Sequence, residues 1–515
     1  MAKSKQVRVR FAPSPTGGLH LGGVRTALYN YLFAKQHHGT FILRIEDTDQ
    51  GRFVDGAEQY IADCLDWCNL VPDESPQKGG AFGPYRQSER KEIYRQYAEN
   101  LVSSGCAYYA FDTPEELEKM REQYKTPENP SPQYDHHIRE KMRNSISLPR
   151  DQVEELFKNN TPHVIRILCP ENEKVSFTDL IRGEVNFNTD TIDDKVLLKA
   201  DGMPTYHLAV VVDDYLMKIS HAFRGEEWLP SSPVHILLWR YLGWEKEMPQ
   251  WAHLPLILKP DGNGKLSKRD GDRLGFPVFA MDWKDPVTGV TTKGFKEMGF
   301  IPDAFNNMLA VLGWNDGSEK EIFSRAELID AFTIQKVHKG GAKFDFEKAK
   351  WFNHEWIKKI PVATLANHLE FILKEKGIVS EKMFVEKVSD LVRDRCTFIN
   401  DLWSHSAFFF IRPENPDLNV ISGKWNNSKT LFFEELIAVF EKTSPWDAAS
   451  LEHECKFLSA ANEQKPGDVL LPLRIMLVGG KFGPGVFDIA TLLGKVETIK
   501  RIQLSLSRLS EKSSA

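Results

Sequence analysis

The chain has 515 residues, and at about 150 residues per domain this length predicts three to four domains. Apolar residues make up 41% and charged residues 27%, which excludes a mainly disordered, collagen-like or disulfide-framework chain. Lys and Arg total 66 against 72 for Asp and Glu. The resulting net charge of −6 excludes a wholly basic protein but leaves room for a local basic face that binds RNA.

Cysteine content and the N-terminus indicate the compartment. Six cysteines in a chain of this length predict free thiols in a reducing environment. The start lacks the apolar core of a signal peptide, and about six residues before the first strand are too few for a transit peptide. No apolar run approaches the ~20 residues that cross a bilayer, and the densest one, residues 469–478, contains Pro472 and Arg474. We therefore expect a cytoplasmic protein without a membrane segment.

The N-terminal residues predict a β–α–β unit. Residues 6–11 alternate between apolar and charged side chains, which indicates a strand, and a Pro- and Gly-rich break follows. From Val24 onward, apolar side chains recur at offsets of 3, 4, 7 and 8, which predicts a helix that ends at Gly39. Residues 41–45 read as a second strand, followed directly by the acidic segment 46–49. This order predicts a parallel, Rossmann-type α/β sheet with ligands at the carboxyl ends of its strands.

The remainder predicts an insertion, a return of the sheet and a helical end. Between about residues 106 and 199, charged helices and short strands replace the sheet pattern. We expect the sheet to return as strands at residues 206–212 and 254–258, the first of them ending at Asp213 and Asp214. Other predicted elements are a strand at 163–168 and helices at 114–124, 148–159, 234–242, 431–440, 448–461 and 486–509.

A first candidate site lies between the first strand and the first helix. Segment 13–23 is rich in Pro and Gly and ends in His20-Leu-Gly-Gly23. Backbone N–H groups at a helix start attract phosphate, glycines permit close approach, and a histidine can donate to a phosphoryl oxygen. A simple strand–helix turn with a capping histidine also explains the pattern, because a His-x-Gly-x match is weak by itself.

A second candidate site is the basic loop Lys265-Leu-Ser-Lys-Arg269, after the last predicted strand. Two lysines three residues apart, an arginine and a hydroxyl suit the moving negative charge of a polyphosphate. A solvated surface loop is the commoner reason for such a run, and the glycine spacing excludes a Walker A loop. The two motifs together are a much stronger signal than either alone, because both follow strands of one predicted sheet.

These motifs and their flanks resemble the class I aminoacyl-tRNA synthetases. HLGG stands as a variant of the HIGH signature, and KLSKR stands as a variant of the KMSKS signature. The flanks resemble the bacterial type of glutamyl-tRNA synthetase, and the resemblance covers essentially the whole chain, more loosely in its helical C-terminal part. The flanking segments are RFAPSPTG (10–17), RIEDTD (44–49), TYHLA (205–209), VVDD (211–214) and GEEWL (225–229).

The resemblance implies a reaction and a domain plan. ATP, bound with Mg²⁺, would activate L-glutamate as glutamyl-adenylate, and the glutamyl group would pass to the 3′ end of tRNA-Glu with release of AMP and diphosphate. The expected partners are tRNA-Glu, L-glutamate and ATP, and the family suggests a monomer. The expected domains are a Rossmann catalytic domain in two halves (1–105 and 201–262), an α+β acceptor-stem insertion (106–200), a KLSKR-loop and stem-contact domain (263–345) and two helical anticodon-binding domains (346–430 and 431–515).

Positions that match the family's motifs receive roles by resemblance. Activation needs in-line positioning and charge stabilisation, since the α-carboxylate is already a nucleophile, and arginine forks suit a γ-carboxylate. The expected catalytic residues are His20, Lys265 and Lys268. The expected glutamate-binding residues are Arg10, Ala12, Ser14, Glu46, Tyr206 and Arg224. The expected ATP-binding residues are Gly22, Gly23, Glu227, Trp228, Ile257, Ser267 and again Lys268. From sequence alone, Arg10 is equally a surface charge and Trp228 a core residue.

The chain departs from the family pattern at several points. HLGG lacks the second histidine of HIGH, and Val210 stands where the family often has Asn. Segment 271–292 is longer than expected and has no assigned role. The insertion offers Cys106 and a pair of adjacent histidines but no second nearby cysteine, so no protein-bound zinc and no other metal site is expected.

Several alternatives stay open at this stage. Glutaminyl-tRNA synthetase shares the fold, but we expect it to have Pro-Glu-Pro-Asn at residues 13–16, Asp-Asp-Thr-Asn at 46–49 and a strand-rich anticodon end. A non-discriminating glutamyl enzyme would also charge tRNA-Gln. A small nucleotidyltransferase would not need the long helical tail, and an RNA-binding paralogue with a dead site would not need both signature motifs. Candidates for tRNA contact near the C-terminus are Arg393, Arg395, Lys424 and Arg474, each of which is also explained as part of a solvated helix face.

Overall fold

The computed structural model describes residues 6–513, apart from the side chains of residues 268, 269, 272 and 511–513. The chain forms two compact units. The first runs to Glu297 and includes Pro302–Phe346, and the second consists of Met298–Ile301 and the residues from Glu347 onward. The finer division into six segments stays a prediction.

The first unit contains all the strands found among the described residues. They are β1 (Arg8–Phe11), β2 (Thr40–Leu43), β3 (Ala107–Ala110), β4 (Val164–Ile167), β5 (Lys174–Asp179), β6 (Gly183–Asn188), β7 (Val196–Leu198), β8 (His221–Gly225), β9 (Gln250–Leu254), β10 (Ile257–Leu258), β11 (Trp283–Lys284), β12 (Thr291–Thr292) and β13 (Ala342–Lys343).

Helices connect these strands and continue to the C-terminus. Up to the end of the first unit they are α1 (Leu21–Gln36), α2 (Ala57–Trp67), α3 (Lys91–Ser103), α4 (Pro114–Gln123), α5 (His136–Arg139), α6 (Arg150–Lys158), α7 (Tyr206–Leu216), α8 (Ser232–Tyr241), α9 (Lys268–Leu274), α10 (Phe295–Met298), α11 (Pro302–Val311) and α12 (Arg325–Ala331). Those that follow are α13 (Phe346–Ile357), α14 (Val362–Glu375), α15 (Lys382–Val392), α16 (Asp401–Phe410), α17 (Asn419–Ser422), α18 (Asn427–Lys442), α19 (Ala448–Ala461), α20 (Pro466–Val478) and α21 (Val486–Ser513).

Parallel strand pairs form the centre of the first unit. β1 pairs with β2, β8 pairs with β9, and β9 touches β5, all in parallel. The Ser220 N–H donates to the Arg8 carbonyl at 2.9 Å and places β8 beside β1. This is the Rossmann-type arrangement that the sequence predicted, and its functional edge lies where β1, β8 and β9 end.

The β1–α1–β2 unit is confirmed, with the helix beginning three residues earlier than the apolar pattern suggested. His20 is the N-cap of α1, and the inward face of the helix is buried from Leu21 to Ala34. All four residues of β1 are buried, including Arg8 and Arg10. A strand inside a parallel sheet is covered on both faces, so these arginines need partners within the protein.

The strand predicted at residues 206–212 is wrong, because these residues form the first turns of helix α7. Its residues from Leu208 to Val212 are at most 3% exposed. A helix that is apolar on all sides has no amphipathic period, so a short β-branched run cannot be told from a buried strand by pattern. Asp213 and Asp214 accordingly lie on a helix and not at a strand end.

The strand predicted at residues 254–258 is divided in two. Pro255 has no N–H for a ladder and separates β9 from β10. β10 leaves the central strands and pairs in parallel with β13. The chain therefore turns here and carries the KLSKR segment to the functional edge.

The insertion between residues 106 and 199 is α+β, as predicted. β3, β4 and β7 form an antiparallel sheet, and the predicted strand at 163–168 is confirmed as β4. The predicted helices at 114–124 and 148–159 are confirmed as α4 and α6.

The second unit is helical throughout its described residues, and its helices share one apolar core. The predicted helices at 431–440, 448–461 and 486–509 are confirmed as α18, α19 and α21, the last of which is kinked at Gly494, where the backbone is not helical (φ 79°). The apolar stretch at 469–478 lies in α20, with Pro472 inside it. Within residues 6–513, no helix is both long enough and apolar enough to cross a membrane.

Candidate active site

A cleft of about 690 Å³ opens at the carboxyl ends of β1, β8 and β9. Four segments line this cleft: the Pro- and Gly-rich loop, the start of α1, the start of α7 and the loop before α9. The predicted site residues that line it are Arg10, Ala12, Ser14, His20, Gly22, Gly23, Glu46, Tyr206, Arg224, Glu227, Trp228, Ile257, Lys265 and Ser267. Lys268 is the first residue of α9, and its side chain lies outside the described part of the chain.

The HLGG segment presents the N-terminus of α1 to the cleft. The Gly22 N–H donates to His20 Nδ1 at 3.2 Å, so this ring nitrogen is an acceptor. In the neutral imidazole, Nε2 then carries the proton. A Cβ at Gly23 would lie 2.7 Å from Leu19 Cδ1, so a larger residue here would displace the Leu19 side chain. The segment therefore brings the positive end of a helix and an imidazole donor to the same part of the cleft.

The KLSKR segment is held by a capping box. Ser267 is the N-cap of α9, and its Oγ donates to Asp270 Oδ2 at 2.6 Å. Bonds from Ser267 lower the pKa of Asp270 below its usual value, so the carboxylate stays ionised. Lys265 Nζ lies 2.6 Å from Glu227 Oε1, and the Ile257 carbonyl accepts from the Leu266 N–H at 2.8 Å.

Arg10 belongs to a buried ion-pair network with α7. Its Nε and Nη2 donate to the two oxygens of Asp214 at 2.9 and 3.1 Å. Arg44 also donates to Asp214 at 2.8 Å and to Glu46 Oε1 at 3.0 Å. Burial acts to raise the pKa of Asp214, but Arg10 and Arg44 outweigh it and lower this pKa. Burial raises the pKa of Glu46 in spite of the same arginines.

Arg224 has a different environment, made of uncharged acceptors. Its Nε donates to His253 Nε2 at 3.0 Å, and its Nη1 donates to Tyr206 Oη at 3.1 Å and to His235 Nδ1 at 3.1 Å. Its Nη2 donates to Ser232 Oγ at 3.1 Å. Among the described residues, Arg224 forms no ion pair, so its charge is available to a ligand in the cleft.

An aromatic pair closes one side of this wall. The rings of Tyr206 and Trp228 lie 4.4 Å apart between centroids. Trp228 is 42% exposed, so it is not the core residue that its type alone suggested. A flat and partly exposed indole beside a charged wall can stack against a planar ligand.

The sequence missed the roles of several residues of this network. Asp213 accepts bonds from Arg90 at 2.7 Å, Tyr94 at 2.8 Å and Gln87 at 2.9 Å. Two adjacent carboxylates inside an apolar run are a usable signal, because such groups are almost never buried without partners. Their partners could not be named, since β1, the chain after β2 and the chain from Gln87 into α3 meet α7 only in the fold.

Metal ligands do not cluster in the described part of the chain. Within residues 6–513 there is no group of three or more His, Cys, Asp or Glu side chains with metal-binding geometry. Cys64 and Cys68 are buried on and just after α2, and burial raises the pKa of Cys64 to about 12. These thiols are therefore protonated at neutral pH.

Two family models match nearly the whole chain. The model for the catalytic domain of class I tRNA synthetases (E and Q) matches residues 6–351, and the model for an anticodon binding domain matches residues 347–506.

Relatives with known names and structures agree with these models. The glutamate–tRNA ligase of Flavobacterium johnsoniae is 51% identical and covers 98% of this chain and 100% of the relative. That of Porphyromonas gingivalis W83 is 50% identical and covers 98% of this chain and 99% of the relative. A glutamate tRNA ligase structure from Elizabethkingia meningosepticum, in complex with its amino acid, superposes with a TM-score of 0.93, at 46% identity over 98% of this chain and 100% of that one.

A parallel sheet with both signature motifs at one cleft, followed by a helical unit, defines a class I aminoacyl-tRNA synthetase. Within that class, the chain belongs to the family of the glutamate–tRNA ligases.

Proposed function

We propose that the protein joins L-glutamate to the 3′ end of tRNA-Glu through a glutamyl-adenylate, releasing AMP and diphosphate. The observation that carries this function is the convergence of His20, Lys265 and Arg224 on one cleft. The named relatives are glutamate ligases and favour glutamate over the glutaminyl alternative.

Adenylate formation requires positioning and charge stabilisation. The α-carboxylate of glutamate attacks the α-phosphate of ATP, the new C–O–P bond forms, and the bond to the leaving diphosphate breaks. His20 Nε2–H and Lys265 are the donors that would meet the growing charge on the phosphate oxygens, and the positive end of α1 would add to the field there. Mg²⁺ enters as part of the MgATP substrate, with phosphate oxygens among its ligands. Lys268, at the start of α9, would add a second lysine beside Lys265.

The adenosine end of ATP has its own candidate surface. Gly22 and Gly23 let the nucleotide approach the helix start, and Trp228 offers an exposed aromatic face. Glu227 positions Lys265 through their 2.6 Å ion pair. Ile257 and Ser267 border the same region of the cleft, where backbone groups can meet the adenine edge.

Glutamate binding uses the part of the cleft around Arg224, next to the Tyr206–Trp228 pair. Arg224, with a guanidinium that no carboxylate of the described chain neutralises, suits the γ-carboxylate, and Tyr206 adds a hydroxyl beside it. Glu46 offers a carboxylate to the α-ammonium. Arg10, Ala12 and Ser14 border this part, and the bond from the Glu46 N–H to the Pro13 carbonyl at 3.0 Å fixes their loop.

In the second step, the 3′-terminal ribose hydroxyl attacks the activated carbonyl, and AMP leaves. The phosphate of the adenylate can accept the ribose proton, so no catalytic carboxylate is assigned. The insertion would hold the acceptor stem and the helical unit the anticodon, with Arg393, Arg395, Lys424 and Arg474 as candidate contacts. Arg474 already donates to the Gly483 carbonyl at 3.0 Å, so it orders a loop whatever its role with tRNA.

Charging assays with the full chain test this function. Labelled glutamate and labelled glutamine are each offered with tRNA-Glu and with tRNA-Gln transcripts. We expect glutamate to be attached to tRNA-Glu and glutamine to neither tRNA. Attachment of glutamine, or no attachment of any label together with no ATP–pyrophosphate exchange in the presence of tRNA, would overturn the proposal.

A further inference from the structure

The partners of the Arg224 side chain come from strand β9 and helices α7 and α8, and with Asp179 of β5 behind His253 they define a layer behind the cleft wall. Arg224 on β8 and His253 on β9 are cross-strand partners in the parallel ladder. Asp179 is the last residue of β5 and pairs with Trp251 on β9. His253, Asp179 and His235 are at most 2% exposed and do not line the cleft. They can influence a ligand only through Arg224 and Tyr206.

The bonds at His253 fix its tautomer. A guanidinium can only donate, so His253 Nε2, 3.0 Å from Arg224 Nε, carries no proton. His253 Nδ1 then carries the proton and donates to Asp179 Oδ2 at 2.6 Å. Asp179 also accepts N–H bonds from Ile181 at 2.9 Å and Arg182 at 2.8 Å, and its pKa is lowered, so it stays an ionised acceptor. Asp179 thus holds the imidazole with its acceptor nitrogen toward Arg224.

His235 completes the arrangement from α8 by the opposite ring nitrogen. Its Nδ1 accepts from Arg224 Nη1 at 3.1 Å, so its Nε2 carries the proton and faces His207 Nδ1 at 3.2 Å. Burial lowers the pKa of His235 well below its ordinary value and lowers that of His207 to about 4. Both rings are therefore neutral at physiological pH. His235 accepts from Arg224, and His207 accepts from His235.

The contrast with Arg10 shows what this arrangement achieves. Arg10 is bound to both oxygens of Asp214 and is electrically neutralised. Arg224 is oriented just as firmly, but by neutral nitrogens and hydroxyls, while the charge of Asp179 is kept one imidazole ring away. An oriented guanidinium that keeps its charge favours a carboxylate, whereas a carboxamide would bring its own N–H groups against the same donors.

We propose that His253, oriented by Asp179, and His235 are positioning residues that set the preference of the Arg224 pocket for a carboxylate side chain over a carboxamide. This inference rests on the proposed function, in which Arg224 binds the γ-carboxylate of glutamate. The acceptor nitrogen differs between the two rings, being Nε2 in His253 and Nδ1 in His235. A glutamine side chain places its oxygen near the former position, and an asparagine side chain places its oxygen near the latter.

Matched substitutions test which ring nitrogen accepts from Arg224. At position 253, the variants are His253→Phe, His253→Gln and His253→Asn, and at position 235 they are His235→Phe, His235→Asn and His235→Gln. KM and kcat for glutamate are measured in tRNA-Glu charging, with KM for ATP as an internal reference and inhibition by glutamine as the selectivity readout. His221→Phe, on the same strand β8 but without a bond to Arg224, is the control.

We expect both Phe variants to raise KM for glutamate about 10- to 100-fold, because a buried N–H of Arg224 loses its acceptor. The difference between the KM for glutamate and the inhibition constant of glutamine should become smaller. KM for ATP should change less than about twofold, since adenosine binds elsewhere in the cleft. At 253, Gln should recover most of the loss and Asn should not. At 235, Asn should recover it and Gln should not. The His221→Phe control should keep the wild-type KM for glutamate.

Other results would overturn the inference. An unchanged glutamate KM in both Phe variants, or recovery by the wrong amide at both positions, would show that the ring nitrogens do not orient Arg224. An equal rise of the glutamate and ATP KM values would show a merely structural role. If a Phe variant does not fold, the comparison of Gln with Asn at each position still decides. Wild-type protein that forms no glutamyl-tRNA would instead remove the proposed function itself.

Discussion

Arg10 and Arg224 are two arginines of one cleft wall with opposite electrostatic settings. Arg10 lies in a network in which Asp214 takes both of its forked donors. Arg224 meets only uncharged acceptors among the described residues. Charge selectivity in this cleft is therefore a property of the acceptors around each guanidinium, because the two side chains are chemically identical. In the proposed function, Arg224 is therefore the better receptor for a carboxylate, while Arg10 also links α7 to β1 through Asp214.

Lys265 is expected to contribute directly to adenylate formation. It is about half exposed and paired with Glu227 at 2.6 Å, an arrangement that keeps an ammonium at the cleft rim until phosphate arrives. Lys265→Met should lower the rate of ATP–pyrophosphate exchange with tRNA present by about 100-fold, because one donor to the developing phosphate charge is lost. Lys284→Met, on the exposed part of β11, is the control and should exchange like wild type. An exchange rate of Lys265→Met within about twofold of wild type would remove this lysine from the reaction.

Single residues of the site were predictable where chemistry and position coincided. His20 and Lys265 were identified because their residue types suit phosphate and each follows a strand, and both lie at the cleft. The acceptors of Arg224 were not predictable. His235 and His253 stand in ordinary apolar runs, and only the parallel pairing of β8 with β9 makes His253 a neighbour of Arg224. No local pattern carries that information, because cross-strand contacts depend on the order of strands.

At the scale of elements, the segment after α9 packs on the Pro- and Gly-rich loop. The Leu21 N–H donates to the Val278 carbonyl at 3.0 Å. A Cβ at Gly18 would lie 2.8 Å from the Phe279 ring and 2.9 Å from Trp283, so the loop and this segment are in close contact. Trp283 also meets the Tyr60 ring edge-on at 4.9 Å. Part of the unassigned stretch 271–292 therefore supports the loop that carries His20, while its tip, with Val287 90% exposed, does not.

Trp283→Ala tests this support. Trp283 is 9% exposed, and truncating it should destabilise the local packing by about 3 kcal/mol, because the indole contacts to Tyr60 and the loop are lost. Hydrogen exchange of peptides from residues 13–23 should become faster in this variant. Val287→Ala, at the exposed tip, should leave exchange there as in wild type. Equal protection in both variants would show that the segment does not hold the loop.

Elements were predictable where a period or a cap marked them. α1 follows its apolar offsets, and α19 has the bounds that its pattern predicted. The error at residues 206–212 has a physical origin in complete burial, since α7 packs apolar side chains on every face. The division at Pro255 could have been anticipated from the missing N–H, but the new partner β13 is more than 80 residues away and carries only two strand residues.

At the scale of the whole molecule, the chain enters the second unit twice. Met298–Ile301 belongs to the second unit, although the chain returns to the first for Pro302–Phe346. Asn353, fully buried on α13, explains this excursion: its amide donates to the carbonyls of Gly299 at 3.1 Å and Thr397 at 2.7 Å and accepts from the Ile301 N–H at 2.9 Å. A prediction that divides the sequence into consecutive domains cannot place residues 298–301 in the second unit. The bonds of Asn353 that hold them there join three stretches that are far apart in the sequence.

The stability of the molecule should depend on the pH through its partly buried histidines. Burial lowers the pKa of His207 and of His221 from 6.5 to about 4. Between these values the unfolded chain binds more protons than the folded one, so the free energy of unfolding decreases as the pH falls. From pH 7 to 5, above the range where most carboxylates protonate, we expect a loss of about 1 kcal/mol per histidine, reduced from the full linkage because both rings are partly exposed.

Urea unfolding followed by circular dichroism at pH 7, 6 and 5 measures this dependence in three proteins. His221→Asn removes one of the histidines with a lowered pKa and should reduce the loss of stability by about 1 kcal/mol over this range. His38→Asn makes the same change at an exposed residue with a left-handed backbone (φ 50°) that asparagine also tolerates, and it serves as the matched control. If His221→Asn and His38→Asn lose stability with identical slopes, the ring of His221 is not the source. The difference between the two slopes isolates the contribution of the folded-state environment of His221, because both variants lose the same ionisable group from the unfolded chain.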